Sequence, residues 1–172
     1  MTLMLLDSAS LWYRAYYGMP DTLVNDEGQP VHAVRGFLDM SARLINQYKP
    51  NRLVACLDGD WRPSWRVDLF PAYKANRVDE SGEEEEEPET LTPQIPILLD
   101  LLDAMGIPLI GADDYEADDV IAILAMYTQE HELVQEGLFD NEPQPTIIIS
   151  SDTDYDCNNN RNYKDNSYYY SY

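Results

Sequence analysis

Four short apolar runs, separated by longer stretches of helical spacing, set the frame of this chain. Leu3 to Leu6 is continuous and apolar, as a strand covered on both faces requires, and Asp7 ends it. Ser10 is placed to cap the next element, Leu11 to Tyr17, which carries Arg14 among aromatics. Met19 to Pro30, with Pro20, Gly28 and Pro30, reads as a loop. Val34, Phe37, Leu38, Ala42, Leu44 and Ile45 then recur at helical spacing within Val31 to Tyr48, and Lys49-Pro50 stops that helix. Leu53 to Leu57 is a second buried run, ended by Asp58 as Asp7 ends the first. Thr92 as N-cap and Pro93 at the first position open a third helix. Its expected apolar face is Ile95, Leu98, Leu99, Leu102 and Met105, with Gly106 closing it. Ile107 to Ile110 is a third strand, and a fourth helix runs from Tyr115-Glu116-Ala117-Asp118-Asp119 to about Glu136. Thr146 to Ile149 is a fourth strand, rich in β-branched residues and followed by Ser150-Ser151-Asp152-Thr153-Asp154.

Strand and helix alternate, which predicts an α/β fold with a mainly parallel sheet and right-handed crossovers. Ligands of such sheets bind beyond the carboxyl ends of the strands. Asp7, Asp58, Asp152 and Asp154 fall on that edge, and Glu116, Asp118 and Asp119 lie just past the third strand, giving seven carboxylates facing one region. Any one of them alone is readily a helix cap or a solvated turn, and an acidic first turn suits the helix dipole. Packed together they repel, and only Arg14, Lys74 and Arg77 are in place to offset them. Divalent cations are the simpler solution: oxygen-only ligands suit Mg²⁺ or Mn²⁺. Two such ions, about 4 Å apart, activate water and stabilise a leaving oxygen in phosphodiester hydrolysis.

Composition narrows the class. The chain has 172 residues, 44% of them hydrophobic, enough for one domain with a real core. No apolar run approaches the roughly 18 residues of a membrane span, and the N-terminus lacks the basic start of a signal peptide, so a cytoplasmic protein is expected. Cys56 and Cys157 form no CxxC pair, and His32 and His131 no ligand pair, which excludes a zinc signature. The net charge of -21 argues at first against a nucleic-acid partner. Eight of the acids, however, crowd into Asp79 to Glu89, a run expected to be disordered, while Arg62, Arg66, Lys74 and Arg77 collect nearby.

The segments Leu5-Leu6-Asp7-Ser8-Ala9-Ser10-Leu11-Trp12-Tyr13-Arg14-Ala15, Ala33-Val34-Arg35-Gly36-Phe37-Leu38, Tyr73-Lys74-Ala75-Asn76-Arg77 and Tyr115-Glu116-Ala117-Asp118-Asp119-Val120-Ile121 carry a resemblance. In that order they resemble the 5′-3′ exonuclease and flap endonuclease family. This includes the N-terminal nuclease domain of bacterial DNA polymerase I and, closer still, free-standing actinobacterial 5′-3′ exonucleases. The resemblance implies a PIN-like (resolvase-like) three-layer fold over residues 1–154 and cleavage of DNA at a free 5′ end or 5′ flap by a monomer. It places Asp7, Asp58, Glu116, Asp118 and Asp119 on the family's metal-site acids, with Asp152 and Asp154 as the pair after the fourth strand. It places Lys74 and Arg77 against the scissile phosphate. Arg14 either contacts phosphate or pairs with the acids. Tyr73 either stacks on an unpaired base or is simply buried. Gly36 either lets backbone approach DNA or packs two helices. Trp61 and Trp65, between Arg62 and Arg66, either bind a single strand or anchor a loop over the core.

The resemblance fades after Asp154. Ser151 stands where the family has glycine, Thr153 where it has a basic residue, and Tyr155 where it has leucine. Residues 155–172 form an Asn- and Tyr-rich tail expected to be disordered, the signature of a truncation or a shifted reading frame. The family's fifth strand, a further acid pair and a helix-hairpin-helix are then missing, leaving an open sheet edge. Two other readings follow: a non-catalytic remnant that binds metal or DNA, and a PIN-type ribonuclease, against which the YKANR segment speaks.

Overall fold

The N-terminal apolar run becomes the middle of the sheet. The computed structural model describes residues 2–78, 87–135, 146–151 and 167–171. The strands are β1 (Leu3–Asp7), β2 (Arg52–Cys56), β3 (Leu109–Ile110), β4 (Thr146–Ser150) and β5 (Ser167–Ser171). They lie in the order β3-β2-β1-β4-β5, every neighbouring pair parallel. The helices are α1 (Ser8–Gly18), α2 (His32–Tyr48), α3 (Ser64–Leu69), α4 (Gln94–Ala104) and α5 (Ala117–Gln135).

Alternation along β1 divides the core in two, because successive side chains point to opposite faces. Met4 and Leu6, with Ala55, Ile147 and Ile149, pack under Leu11, Val34, Phe37, Leu44, Leu98 and Leu102 of α1, α2 and α4. Leu3 and Leu5, with Cys56 and Ile148, pack under Ala117, Val120, Ile121 and Ala125 of α5. The result is the expected α/β/α three-layer fold. Chain order runs outward from β1 to β2 and β3, and then α5 carries the chain back across the sheet to β4 on the other side of β1. The strand order therefore reverses beside β1, and the carboxyl ends of β1 and β4 are where folds of this topology bind their ligands.

Local details depart from expectation for identifiable reasons. Helix α1 begins at Ser8, and its cap is Asp7, whose Oδ1 accepts from the Ser10 amide at 3.2 Å, rather than Ser10 itself. Helix α4 starts at Gln94 without a Thr92 cap, and Thr92 Oγ1 donates instead to Glu87 at 3.0 Å. Buried Gln94 accepts from the Ala33 amide at 2.8 Å, so it supplies the cap that Val31 cannot give to α2. Met105 lies past the end of α4 and is 59% exposed, not part of its apolar face. Strand β3 is only two residues long because Pro108 has no amide proton to give the ladder. Glu87 also accepts from Tyr13 Oη at 3.2 Å, so the acidic run ends in ordered contacts, while residues 79–86 lie outside the described residues.

The largest correction concerns the sheet edge. A fifth strand is present: Ser167 to Ser171 pairs with Thr146 to Ser150, so β4 is not the edge. The tyrosines of that segment are good strand formers, and the Asn-rich stretch before them hid the pattern. At Gly36 the helix-packing contact is present. A Cβ there would stand 2.7 Å from Met19 Cγ and 2.9 Å from Ala15 Cβ, so Gly36 is where α1 and α2 close on each other.

Candidate functional site

Two carboxylate corners form at the carboxyl end of the sheet. The first is Asp7, only 6% exposed at the end of the central strand. Its Oδ2 accepts from Ser150 Oγ at 2.7 Å, and Ser10 Oγ lies 3.2 Å from Ser150 Oγ. Ser151 adds its amide to Ser10 Oγ at 3.0 Å and its hydroxyl to the Ser10 carbonyl at 2.8 Å. Hydroxyls and amides thus hold Asp7, and no salt bridge reaches it among the described residues. Asp7 also faces Cys56 across the β1–β2 pair, and the thiol is pushed up to about 12, first by burial and then by the Asp7 charge. The sequence marked Ser10 as a helix cap and Ser151 as a substitute for a glycine, and gave no sign that they join Ser150 in a hydroxyl chain to Asp7.

The second corner is the start of α5. Asp119 Oδ2 reaches back to the Glu116 amide at 3.1 Å, which is half of a capping box. Asp58 Oδ1, from the loop after β2, accepts from the Ala117 amide at 2.7 Å and caps the same helix from outside. The carboxyl of Asp58 is held above the ordinary carboxylate range. Crowding by protein atoms is the main cause, although the residue as a whole is open to solvent, and the charges of Asp7 and Glu116 add to it. The Ala117 amide and the Lys74 charge pull the other way. Gly59 makes this approach possible: a Cβ there would fall 1.9 Å from the Ala112 carbonyl oxygen. The Gly59 and Asp60 amides both donate to the Tyr115 carbonyl, at 2.9 and 3.1 Å.

Unlike Asp7, the α5 acids have cations on them. Glu116, 4% exposed, accepts from Tyr73 Oη at 2.5 Å on Oε1 and pairs with Lys74 Nζ on Oε2. Arg66 Nη2 pairs with Asp119 Oδ1, and Arg66 Nε lies 3.4 Å from Glu116 Oε1. Partial burial works against the Arg66 charge, but the hydrogen bond and charge of Asp119 outweigh it and hold the guanidinium above its ordinary range. Tyr73 is pushed up to about 12 by burial, then by its bond to Glu116, so the phenol stays a donor. Lys74 also donates to the Trp61 carbonyl at 2.7 Å, and its backbone is left-handed at φ 49°.

The counter-charges are therefore Lys74 and Arg66, where Arg14, Lys74 and Arg77 had been expected. Arg14 and Arg77 are exposed and make no ion pair among the described residues. Arg62 is turned inward, with Nε donating to the Tyr73 carbonyl at 2.8 Å, and so buttresses the segment that carries Lys74. Trp65 donates from Nε1 to the Asp114 carbonyl at 3.0 Å and lies 6.1 Å from the Tyr115 ring, which is the loop-anchoring alternative. Asp118 is exposed in the first turn of α5, and Asp152 and Asp154 lie outside the described residues.

The donor set is all oxygen, which fits a hard divalent cation, and among the described residues no cation pairs with buried Asp7. As the side chains stand, no three of the described His, Cys, Asp or Glu groups are arranged to hold one ion. Two of the acids, Glu116 and Asp119, are paired with Arg66 and Lys74.

Residues 2–159 match the family described as "5′-3′ exonuclease, N-terminal resolvase-like domain". The chain belongs to this 5′-3′ exonuclease family. It is 46% identical over 157 residues to the 5′-3′ exonuclease of Mycobacterium tuberculosis, covering 88% of this chain and 45% of that protein. It is 54% identical over 122 residues to the 5′-3′ exonuclease of Streptomyces coelicolor, covering 69% of this chain and 40% of the relative. The chain thus spans less than half the length of these two relatives. The 5′-exonuclease of phage T5, with divalent metal ions (zinc) bound, shares the fold, with a TM-score of 0.58 and 23% identity over 91% of this chain and 51% of that one. Within the 5′-3′ exonuclease family the two corners now have an address, since both lie in the matched residues.

Proposed function

We propose that the chain carries the acidic centre of a metal-dependent 5′-3′ exonuclease or 5′-flap endonuclease that hydrolyses DNA phosphodiester bonds in the cytoplasm as a monomer. One observation carries the reading. In a member of this family, acids from the ends of β1 and β2 and from the start of α5 lie along the carboxyl edge of one sheet, with Asp58 on the Ala117 amide and Lys74 of the YKANR segment on Glu116. The phage T5 flap endonuclease has been crystallised as a pseudo-enzyme-product complex with DNA and metal ions, which supports a DNA substrate.

In this reading Asp7, Asp58, Glu116, Asp118 and Asp119, with Asp152 and Asp154, hold two Mg²⁺ or Mn²⁺ ions. When bound, the ions make a water more acidic and offset charge on the leaving oxygen. The chain's own residues do the rest. Ser150 and Ser10 fix the orientation of Asp7, and Asp119 and Asp58 fix the start of α5. Lys74 and Arg77 stabilise the charge that gathers on the phosphate during substitution, with Arg14 on the same side of the reaction. Tyr73 keeps its proton and orients Glu116.

A fluorescent 5′-flap substrate tests this with Mg²⁺ or Mn²⁺ present. Metal-dependent release of the flap is expected, with Asp119→Asn lowering the rate roughly a hundredfold or more. A second reading, a DNA- or metal-binding member that does not cleave, is favoured by the pairing of Glu116 and Asp119 with protein cations. Binding of the flap without product would select it. Preference for single-stranded RNA would select a PIN-type ribonuclease.

A further inference from the structure

Every carboxylate oxygen of Glu116 and Asp119 is occupied by a protein donor. Glu116 accepts from Tyr73 and Lys74, while Asp119 accepts from Arg66 and from the Glu116 amide. Arg66 alone among these touches both acids with one charged group. Its Nε is buried and has no hydrogen-bond partner, being 3.4 Å from Glu116 Oε1. The guanidinium also lies over two rings, 4.7 Å from Trp65 and 5.4 Å from Tyr73.

We propose that Arg66 is a positioning residue that stands in for a cation at Glu116 and Asp119 and must leave them for a divalent ion to enter. This rests on the reading of those acids as metal ligands. A guanidinium between two carboxylates balances their charge while no ion is present. An ion must then compete with Arg66, so the arginine weakens metal binding while stabilising the metal-free protein. The two aromatic faces give the guanidinium somewhere to stay as it withdraws, because cation–π contact tolerates a shift that a hydrogen bond does not. Lys74 cannot play the same part, since it reaches Glu116 alone and is also tied to the Trp61 carbonyl. Arg66 is thereby a partner of the acids, not of the phosphate backbone.

Arg66→Met keeps an apolar stem against the rings and removes the charge. Titrated calorimetrically with Mn²⁺, the full chain carrying Arg66→Met is expected to bind roughly twofold to fivefold more tightly than wild type, the range a partly screened charge pair supports. Its metal-free melting temperature should fall, and Mn²⁺ should raise it by more than in wild type. Arg66→Lys, which keeps the charge, should bind Mn²⁺ nearly as wild type does. Equal or weaker Mn²⁺ binding by Arg66→Met overturns the proposal. On the unaltered chain, the Arg66 Nε–H resonance should move on saturation with Mg²⁺. A resonance that stays in place overturns the proposal even where Arg66→Met does not fold. If neither wild type nor variant binds Mn²⁺, the reading of the acids as ligands fails and this inference fails with it.

Discussion

Asp7 and Glu116 are both almost fully buried carboxylates at the same edge of one sheet, yet their surroundings differ in kind. Around Asp7 stand serine hydroxyls and a backbone amide. Around Glu116 stand a lysine, an arginine and a phenol. The difference teaches how a protein can prepare acids for a cation in two ways. One acid is fixed in place with its charge unbalanced, and the other is balanced in place with its charge on loan to side chains that can move. The first arrangement is built on the central strand, while the second draws its cations from the short helix α3, which carries Arg66, and from the turn that carries Lys74.

The comparison can be broken most directly by stability. Glu116→Ala leaves Lys74 and Arg66 without their shared partner and should cost about 2–4 kcal/mol in metal-free unfolding. Asp7→Asn keeps one acceptor for the Ser10 amide, presents an NH₂ that the Ser150 hydroxyl can accept from, and removes a buried charge, so it should cost less than about 1 kcal/mol. Denaturant melts of the two variants without metal decide this, and equal losses would show that the corners are not different in kind.

A smaller effect is expected from joining the corners badly. Gly59→Ala drives a methyl group into the Ala112 backbone and should cost about 1–3 kcal/mol. It should weaken Mn²⁺ binding as well, since Asp58 and the α5 start would no longer be in register. A variant of wild-type stability would mean the two loops are not as closely apposed as they stand.

The smallest effect is a pH dependence. The Asp58 carboxyl is held above its ordinary value in the folded chain, so between the two values the folded state binds more protons than the unfolded one. Stability therefore falls as pH rises through that window, starting at the ordinary carboxylate value of 3.8 and ending at the raised one. The residue is solvent-exposed, so the change should be slight. Asp58→Asn still accepts from the Ala117 amide and should lack this one decrement in melting temperature between pH 4 and 7. An unchanged profile would place the cause elsewhere.

The fold was largely legible in the sequence because its signals are local. Apolar runs ending in Asp gave β1 and β2, and the spacing of Val34, Phe37 and Leu44 gave α2. The family was legible in YKANR and YEADD. What stayed hidden depends on contacts between distant segments. Arg66 meets Asp119 across 53 positions, and no spacing rule links them. Gly59 reads as an ordinary turn residue until the Ala112 backbone is seen against it. Strand β5 was missed because its asparagine-rich approach looks like low complexity, although its tyrosines favour a strand.

Lys74 sits in a left-handed backbone conformation that glycine adopts freely and lysine does not, at a cost of roughly 1 kcal/mol. Lys74→Gly would relax that backbone but also strip the ammonium group from buried Glu116, and the lost pairing costs more than the strain returns. The strained turn is thus the means by which the chain brings a cation onto a buried acid.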